Sequence, residues 1–167
     1  MKRIFDIVFS IVGLTLFAAP AIIIACVLKF VGRHPVLFLQ ERIGKDLHPF
    51  FVIKFQTMVD DKSTPTGAIL RTTGLDEVPQ FINVLKGDMS IVGDEFHDQR
   101  WKVKRGITGF AQLYGVQHKK TFWFWDNKYL RHRDVFIDLG IILISFLMNV
   151  FGKRRIRRIL FQNTRLY

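Results

Sequence analysis

The chain has 167 residues, one domain's worth of length, with 25 Lys and Arg against 14 Asp and Glu, a formal net charge of +11; yet 49% of it is hydrophobic. The apolar fraction excludes a disordered basic tail, and the single cysteine, Cys26, excludes an intrachain disulfide framework. A chain both basic and oily fits a partner that is oily and anionic, as a bilayer surface is.

The first element is apolar. Ile7 to Leu28 carries no charge, and a helix of that length reaches about 33 Å, enough to cross a bilayer core of about 30 Å. Pro20 sits in the middle, where it removes a backbone donor and predicts a kink. Lys2 and Arg3 precede the run and Lys29 and Arg33 follow it. Positive charge at both ends fits a re-entrant helix, whereas a spanning helix carries its excess on one side. Prolines also occur in spanning helices, so the residues alone leave both readings open. A signal peptide is a third reading, from the basic start and the small Ala18 and Ala19. Ile23-Ile24-Ala25-Cys26 even resembles the motif before a lipidated bacterial cysteine, but the apolar run continues past Cys26 and weighs against export.

Val36 to Leu39 and Phe50 to Phe55 are rich in strand formers and flank a turn with Gly44, Asp46 and Pro49. They predict a β-hairpin. Lys62 to Gly67 reads as a loop. Val78, Phe81, Ile82 and Leu85 then repeat at helical spacing, with Pro79 in the first turn and Gly87 at the end. The helix therefore starts near Asp76, which places Asp76 and Glu77 at its N-terminus, where negative charge is favoured. Such residues are commonly caps. Ile137 to Phe151 is a second oily run, short for a crossing at about 22 Å. It is followed by Lys153-Arg154-Arg155-Ile156-Arg157-Arg158, and Phe122-Trp123-Phe124-Trp125 lies upstream. Together these fit an interfacial helix with a polybasic end, or a core helix with a solvated tail. The tail could track phosphates, but no nucleic-acid-binding signature accompanies it. The histidines are scattered without metal-ligand spacing.

Several segments recur in a known order: Lys2-Arg3-Ile4-Phe5-Asp6-Ile7, Gln40-Glu41-Arg42-Ile43-Gly44, Lys54-Phe55-Gln56-Thr57-Met58, and the long stretch Leu75-Asp76-Glu77-Val78-Pro79-Gln80 through Asn83-Val84-Leu85-Lys86-Gly87-Asp88 to Val92-Gly93. Arg105-Gly106-Ile107-Thr108-Gly109-Phe110-Ala111-Gln112 and Asp138-Leu139-Gly140 follow. The chain resembles the bacterial sugar transferase family, the monotopic polyprenyl-phosphate phosphoglycosyl transferases, in its small catalytic-domain-only form.

That resemblance implies a mostly helical α+β fold with an N-terminal re-entrant membrane helix kinked at Pro20, a small β-hairpin and interfacial amphipathic helices. It implies one membrane-associated domain over 1–167: a re-entrant helix at 1–31, a catalytic core at 32–134, and an interfacial helix with a basic tail at 135–167. The implied reaction moves a phospho-sugar from a nucleotide diphosphate sugar, usually a UDP-sugar, to polyprenyl (undecaprenyl) phosphate. The products are a polyprenyl diphosphate sugar and a nucleoside monophosphate. This is the first membrane step of exopolysaccharide, O-antigen or glycoprotein glycan assembly, on the cytoplasmic face of the bacterial inner membrane. The implied partners are the nucleotide-sugar donor, the polyprenyl phosphate acceptor and membrane lipid, with no nucleic acid; a homodimer is left open.

By the same resemblance Asp76 is the nucleophile, forming a covalent phosphosugar intermediate, and Glu77 holds Mg2+ or manages a proton. Asp76 and Glu77 are then also the metal ligands. Carboxylates serve as nucleophiles in other phosphoryl transfers, and a hard cation neutralises a diphosphate. Lys54, Arg71 and Arg105 are the expected phosphate or nucleotide contacts.

Three departures bear on the donor. Asp94-Glu95-Phe96 stands where the family has Pro-Arg-Pro, Gln56 stands where a cation is usual, and Met58 to Thr64 is short. Arg100, Lys102, Lys104 or Arg105 could compensate. The alternative is an inactive membrane-bound scaffold for another glycan enzyme.

Overall fold

The computed structural model describes residues 1–93, 104–114, 129, 131–132 and 134–161. Helix α1, Lys2–Cys26, continues as a π-helical turn, Val27–Val31, with Pro20 inside it. These 30 residues are long and apolar enough to cross a membrane by length and composition, at about 45 Å. Two stripes run along α1 at helical spacing. On one, Asp6, Ser10, Gly13 and Leu28 are buried, and Phe17, Ala21 and Ile24 pack on the core between them. On the other, Ile4, Val8, Ile11, Leu16, Ile23 and Phe30 are exposed.

The expected hairpin is present and longer than the apolar runs. Strand β1, Leu37–Ile43, pairs antiparallel with β2, Pro49–Phe55, through Gln40↔Val52 and Phe38↔Lys54. Side chains alternate across a strand, so Gln40, Arg42, Val52 and Lys54 share one face. Pro49, expected in the turn, instead opens β2, where a missing donor costs least.

The loop expected at Lys62 to Gly67 is structured. Met58–Val59 (β3) and Lys62–Ser63 (β4) form a second, tight hairpin. Thr64 caps helix α2, Pro65–Thr73, its side chain accepting from the Gly67 backbone N–H at 2.9 Å. The Thr-Pro pair is a helix start as well as a loop signal: cap, then proline at the first helical position.

Gly74, at φ 75, ends α2 in a conformation that glycine adopts without strain. A single 3₁₀ turn, Leu75–Glu77, follows, then α3, Gln80–Lys86, closed by Gly87. The helical start near Asp76 is therefore correct, with its first turn tightened. The expected apolar face is only partly so. Val78 is buried, but Ile82 is 40% exposed, and the buried positions within α3 are Gln80, Asn83 and Val84. Asn83 is buried because its amide completes the free edge of β2. Its Nδ2 donates to the Phe51 carbonyl at 2.7 Å and its Oδ1 accepts from the Ile53 N–H at 3.0 Å.

Strands β5, Met89–Val92, and β6, Arg105–Thr108, pair in parallel. Helix α4, Phe110–Tyr114, follows. Helix α5, Val135–Phe151, is capped by Asp134, and α6, Lys153–Phe161, comes after it. One core joins Val84, Met89, Ile91, Val92, Leu113 and Ile141; a second joins Leu28, Phe55, Leu70 and Val78. Phe81 packs on both, and each fully buried aliphatic side chain stabilises by about 1.5–3 kcal/mol. The oily run of α5 divides between two roles. Asp138, Ile141 and Met148 are buried, while Phe136, Leu143, Phe146 and Val150 are exposed along one stripe.

The start of α1 is held by polar bonds. Buried Asp6 accepts from Ser90 Oγ at 2.9 Å and from the Ile91 N–H at 3.0 Å. Lys2 Nζ pairs with buried Asp138, whose Oδ1 also accepts from the Tyr129 hydroxyl at 2.6 Å. Arg3 donates to the carbonyls of Val84 and Leu85 at the end of α3, where a cation meets the last carbonyls and the negative end of the helix. Lys2 and Arg3, expected as the positive flank of a membrane helix, are thus ties to the folded core.

Candidate active site

Asp76 and Glu77 sit side by side in the turn between α2 and α3, and differ in environment. Asp76 is 8% exposed. Burial pushes its carboxyl above the ordinary carboxylate value of 3.8, and the neighbouring Glu77 charge pushes the same way. Lys54, its own backbone N–H and Arg71 oppose them. Glu77 is less buried and accepts from Lys54 Nζ at 2.9 Å. This pair spans from the 3₁₀ turn to β2, and Asn83 fixes the distance by fastening β2 to α3.

Beside the pair opens a cavity of about 130 Å³. Arg42, Lys54, Glu77, Gln80, Arg105 and Gln112 are among its lining residues. Of the predicted site residues, the fold therefore brings Lys54, Glu77 and Arg105 together, with Asp76 next to Glu77 in the chain. Arg71 does not line this cavity. It lies in the last turn of α2, its Nη1 3.4 Å from Met58 Sδ, and reaches the site through its charge on Asp76. Lys104, a candidate for compensation, is not in the cavity wall either. A Cβ on Gly87 would stand 3.4 Å from both Lys104 Nζ and Arg3 Nη2, so Lys104 belongs to the end of α3. Arg100, Lys102, Asp94-Glu95-Phe96 and Phe122 to Trp125 lie outside the described residues.

Sequence reasoning missed Arg42, Gln80 and Gln112 at the cavity, and Asn83 as its brace. A signal for Arg42 existed. With Lys54 chosen, the period of two and the hairpin turn put Gln40 and Arg42 on the same face. Nothing in the sequence pointed to Asn83, because its partners are backbone groups about thirty residues away.

Among the described residues, no group of three or more His, Cys, Asp or Glu is placed to hold a metal ion. Mg2+ commonly takes one or two carboxylates and completes its shell with water and substrate phosphates. The adjacent Asp76 and Glu77 carboxylates offer that donor chemistry.

A buried carboxylate, a lysine-paired carboxylate and an arginine-lined cavity make an anion-handling site of acid and base together. The chain belongs to the bacterial sugar transferase family, which matches residues 1–152. The UDP-glucose:undecaprenyl-phosphate glucose-1-phosphate transferase of Klebsiella pneumoniae is 35% identical over 188 residues, covering 91% of this chain and 40% of that protein. The uncharacterized sugar transferase EpsL of Bacillus subtilis is 32% identical over 176 residues, covering 87% of this chain and 85% of its own. A UDP-N-acetylgalactosamine-undecaprenyl-phosphate N-acetylgalactosaminephosphotransferase of Aeromonas hydrophila is 32% identical over 142 residues, 68% of this chain and 34% of that protein. The chain spans about two fifths of the length of the Klebsiella protein and of its Escherichia coli counterpart.

Proposed function

We propose that the chain transfers a phospho-sugar from a nucleotide diphosphate sugar, a UDP-sugar by the names of its relatives, to undecaprenyl phosphate. The carrying observation is the 3₁₀ turn that sets buried Asp76 beside the Lys54–Glu77 pair at an arginine-lined cavity. In the first step an Asp76 carboxylate oxygen attacks the sugar-bearing phosphorus. The bond from that phosphorus to the bridging oxygen breaks, and nucleoside monophosphate leaves. In the second, a phosphate oxygen of the lipid attacks the same phosphorus and displaces Asp76, giving the polyprenyl diphosphate sugar. Lys54, Arg71 and Arg105 supply positive charge while the phosphoryl group is in flight. Lys54 also holds Glu77 in place. Mg2+, held by Asp76 and Glu77, would add charge neutralisation at the diphosphate. Two relatives are named for different sugars, glucose and N-acetylgalactosamine, so the sugar is a matter for experiment.

The membrane reading is a monotopic protein on the cytoplasmic face of the inner membrane, its N-terminal helix re-entrant. Its support is that α1 packs on the catalytic core along its whole length, from Asp6 on β5 to Leu28 against Phe55, Leu70 and Val78. A helix crossing upright would carry the charged cavity into hydrocarbon with it. The exposed stripes of α1 and α5, with Ile159 and Leu160 on α6, then face lipid, and the cations of α6 meet anionic headgroups. The motive for an inactive scaffold weakens, since the cavity keeps its cations.

The test incubates purified protein with magnesium, undecaprenyl phosphate and a panel of nucleotide sugars. Release of nucleoside monophosphate with at least one donor is expected, lost in Asp76→Asn. No release across the panel overturns the reaction; full activity in Asp76→Asn removes Asp76 as nucleophile.

A further inference from the structure

One cation in the cavity has no task in the mechanism above. Arg42 lies on β1, in register with Phe50 and on the same strand face as Gln40, Val52 and Lys54. That face lines the cavity: Gln40, Arg42, Val52 and Lys54 are all in its wall, together with Glu77 and Arg105. Lys54 on that face is shared with Glu77, at 2.9 Å. Arg42 adds a second cation to the hairpin face of the cavity. Arg42 Nη2 donates to Gln40 Oε1 at 2.8 Å, which steadies the guanidinium on its strand. A guanidinium carries five N–H donors, so the rest of its planar fork remains for a second partner. A polar cavity of about 130 Å³ has room for a phosphoryl group with waters.

We propose that Arg42 binds a phosphoryl oxygen of a substrate in this cavity, with Gln40 orienting it. The inference rests on the phospho-sugar transfer reading and deepens it. The same chemistry has two sources, the diphosphate of the donor and the phosphate of the polyprenyl acceptor. Both bring non-bridging oxygens to the Asp76–Glu77 turn, and a planar fork matches such oxygens in pairs.

The experiment measures kcat and KM for each substrate separately, using the nucleotide sugar found active with the wild type and undecaprenyl phosphate. In Arg42→Gln, kcat/KM for at least one substrate is expected to fall about tenfold or more, as for a lost hydrogen bond to a charged group. Arg42→Lys should regain part of it, since it keeps the charge without the fork. A rise in KM for the nucleotide sugar alone assigns the contact to the donor diphosphate; a rise for the lipid alone assigns it to the acceptor phosphate. If Arg42→Gln does not fold, Gln40→Ala, which removes only the orienting amide, should give a smaller loss of the same kind. Unchanged kcat/KM for both substrates in a folded Arg42→Gln overturns the inference. Wild-type protein inactive across the whole panel overturns instead the reaction on which it rests.

Discussion

At Asp76, the proposed nucleophile, burial and the Glu77 charge act against the ionised form, while Lys54, a backbone N–H and Arg71 restore part of it. This has a consequence for stability. The folded pKa lies above the unfolded value, so ionised Asp76 lowers stability above the folded pKa, and that cost vanishes below about 3.8. Asp76→Asn should therefore abolish turnover yet melt at or above the wild-type temperature near pH 7, with the advantage disappearing at about pH 3. Thermal melts at the two pH values check this; a variant that melts well below wild type near pH 7 refutes it. The acid limb of activity carries the same sign. Removing the Lys54 charge in Lys54→Met takes away a lowering influence, so the limb should move to higher pH in a pH–rate profile of the residual activity.

At the scale of elements, the site depends on how α3 holds the hairpin. Asn83 is 1% exposed and answers one donor and one acceptor of β2, and its Nδ2 also reaches Asp88 Oδ2 at 3.3 Å. Asn83→Ala removes the partner of those part-buried backbone groups and should cost about 2 kcal/mol, read by denaturant unfolding in detergent. The same change should loosen Lys54 from Glu77 and lower kcat. Stability within about 0.5 kcal/mol of wild type would mean that water takes over these bonds. This is also where sequence reading reached its limit for α3. Periodicity favoured Ile82, but tertiary contact chose Asn83, because an edge strand needs partners that an isoleucine lacks.

Over the whole molecule, α1 is part of the folded body that carries the candidate site. Gly13 shows how close the fit is: a Cβ there would stand 2.8 Å from Phe81 Cζ. Phe81 in turn packs on both cores, so α1 and the Asp76 turn share a support. If α1 re-enters, both of its ends lie on one side of the membrane. In a Cys26→Ser background, single cysteines at Met1 and His34 should both react with a membrane-impermeant maleimide from the cytoplasmic side of inverted vesicles. Protection of either end from that side, with reaction from the other, makes α1 a spanning helix.

The sequence by itself determined the apolar helix at the start, the hairpin, the helical turn carrying Asp76 and Glu77, and the family. All of these are written in neighbouring residues, as periodicity, turn chemistry or a contiguous motif. The placement of Arg42 and Arg105 in one cavity wall with Glu77, the anchoring of Lys2, Arg3 and Asp6 in the core, and the brace at Asn83 were decided by the tertiary structure alone. Each joins residues tens of positions apart through backbone groups or single charges. Such partners leave no local pattern, and their burial exists only once the chain has packed.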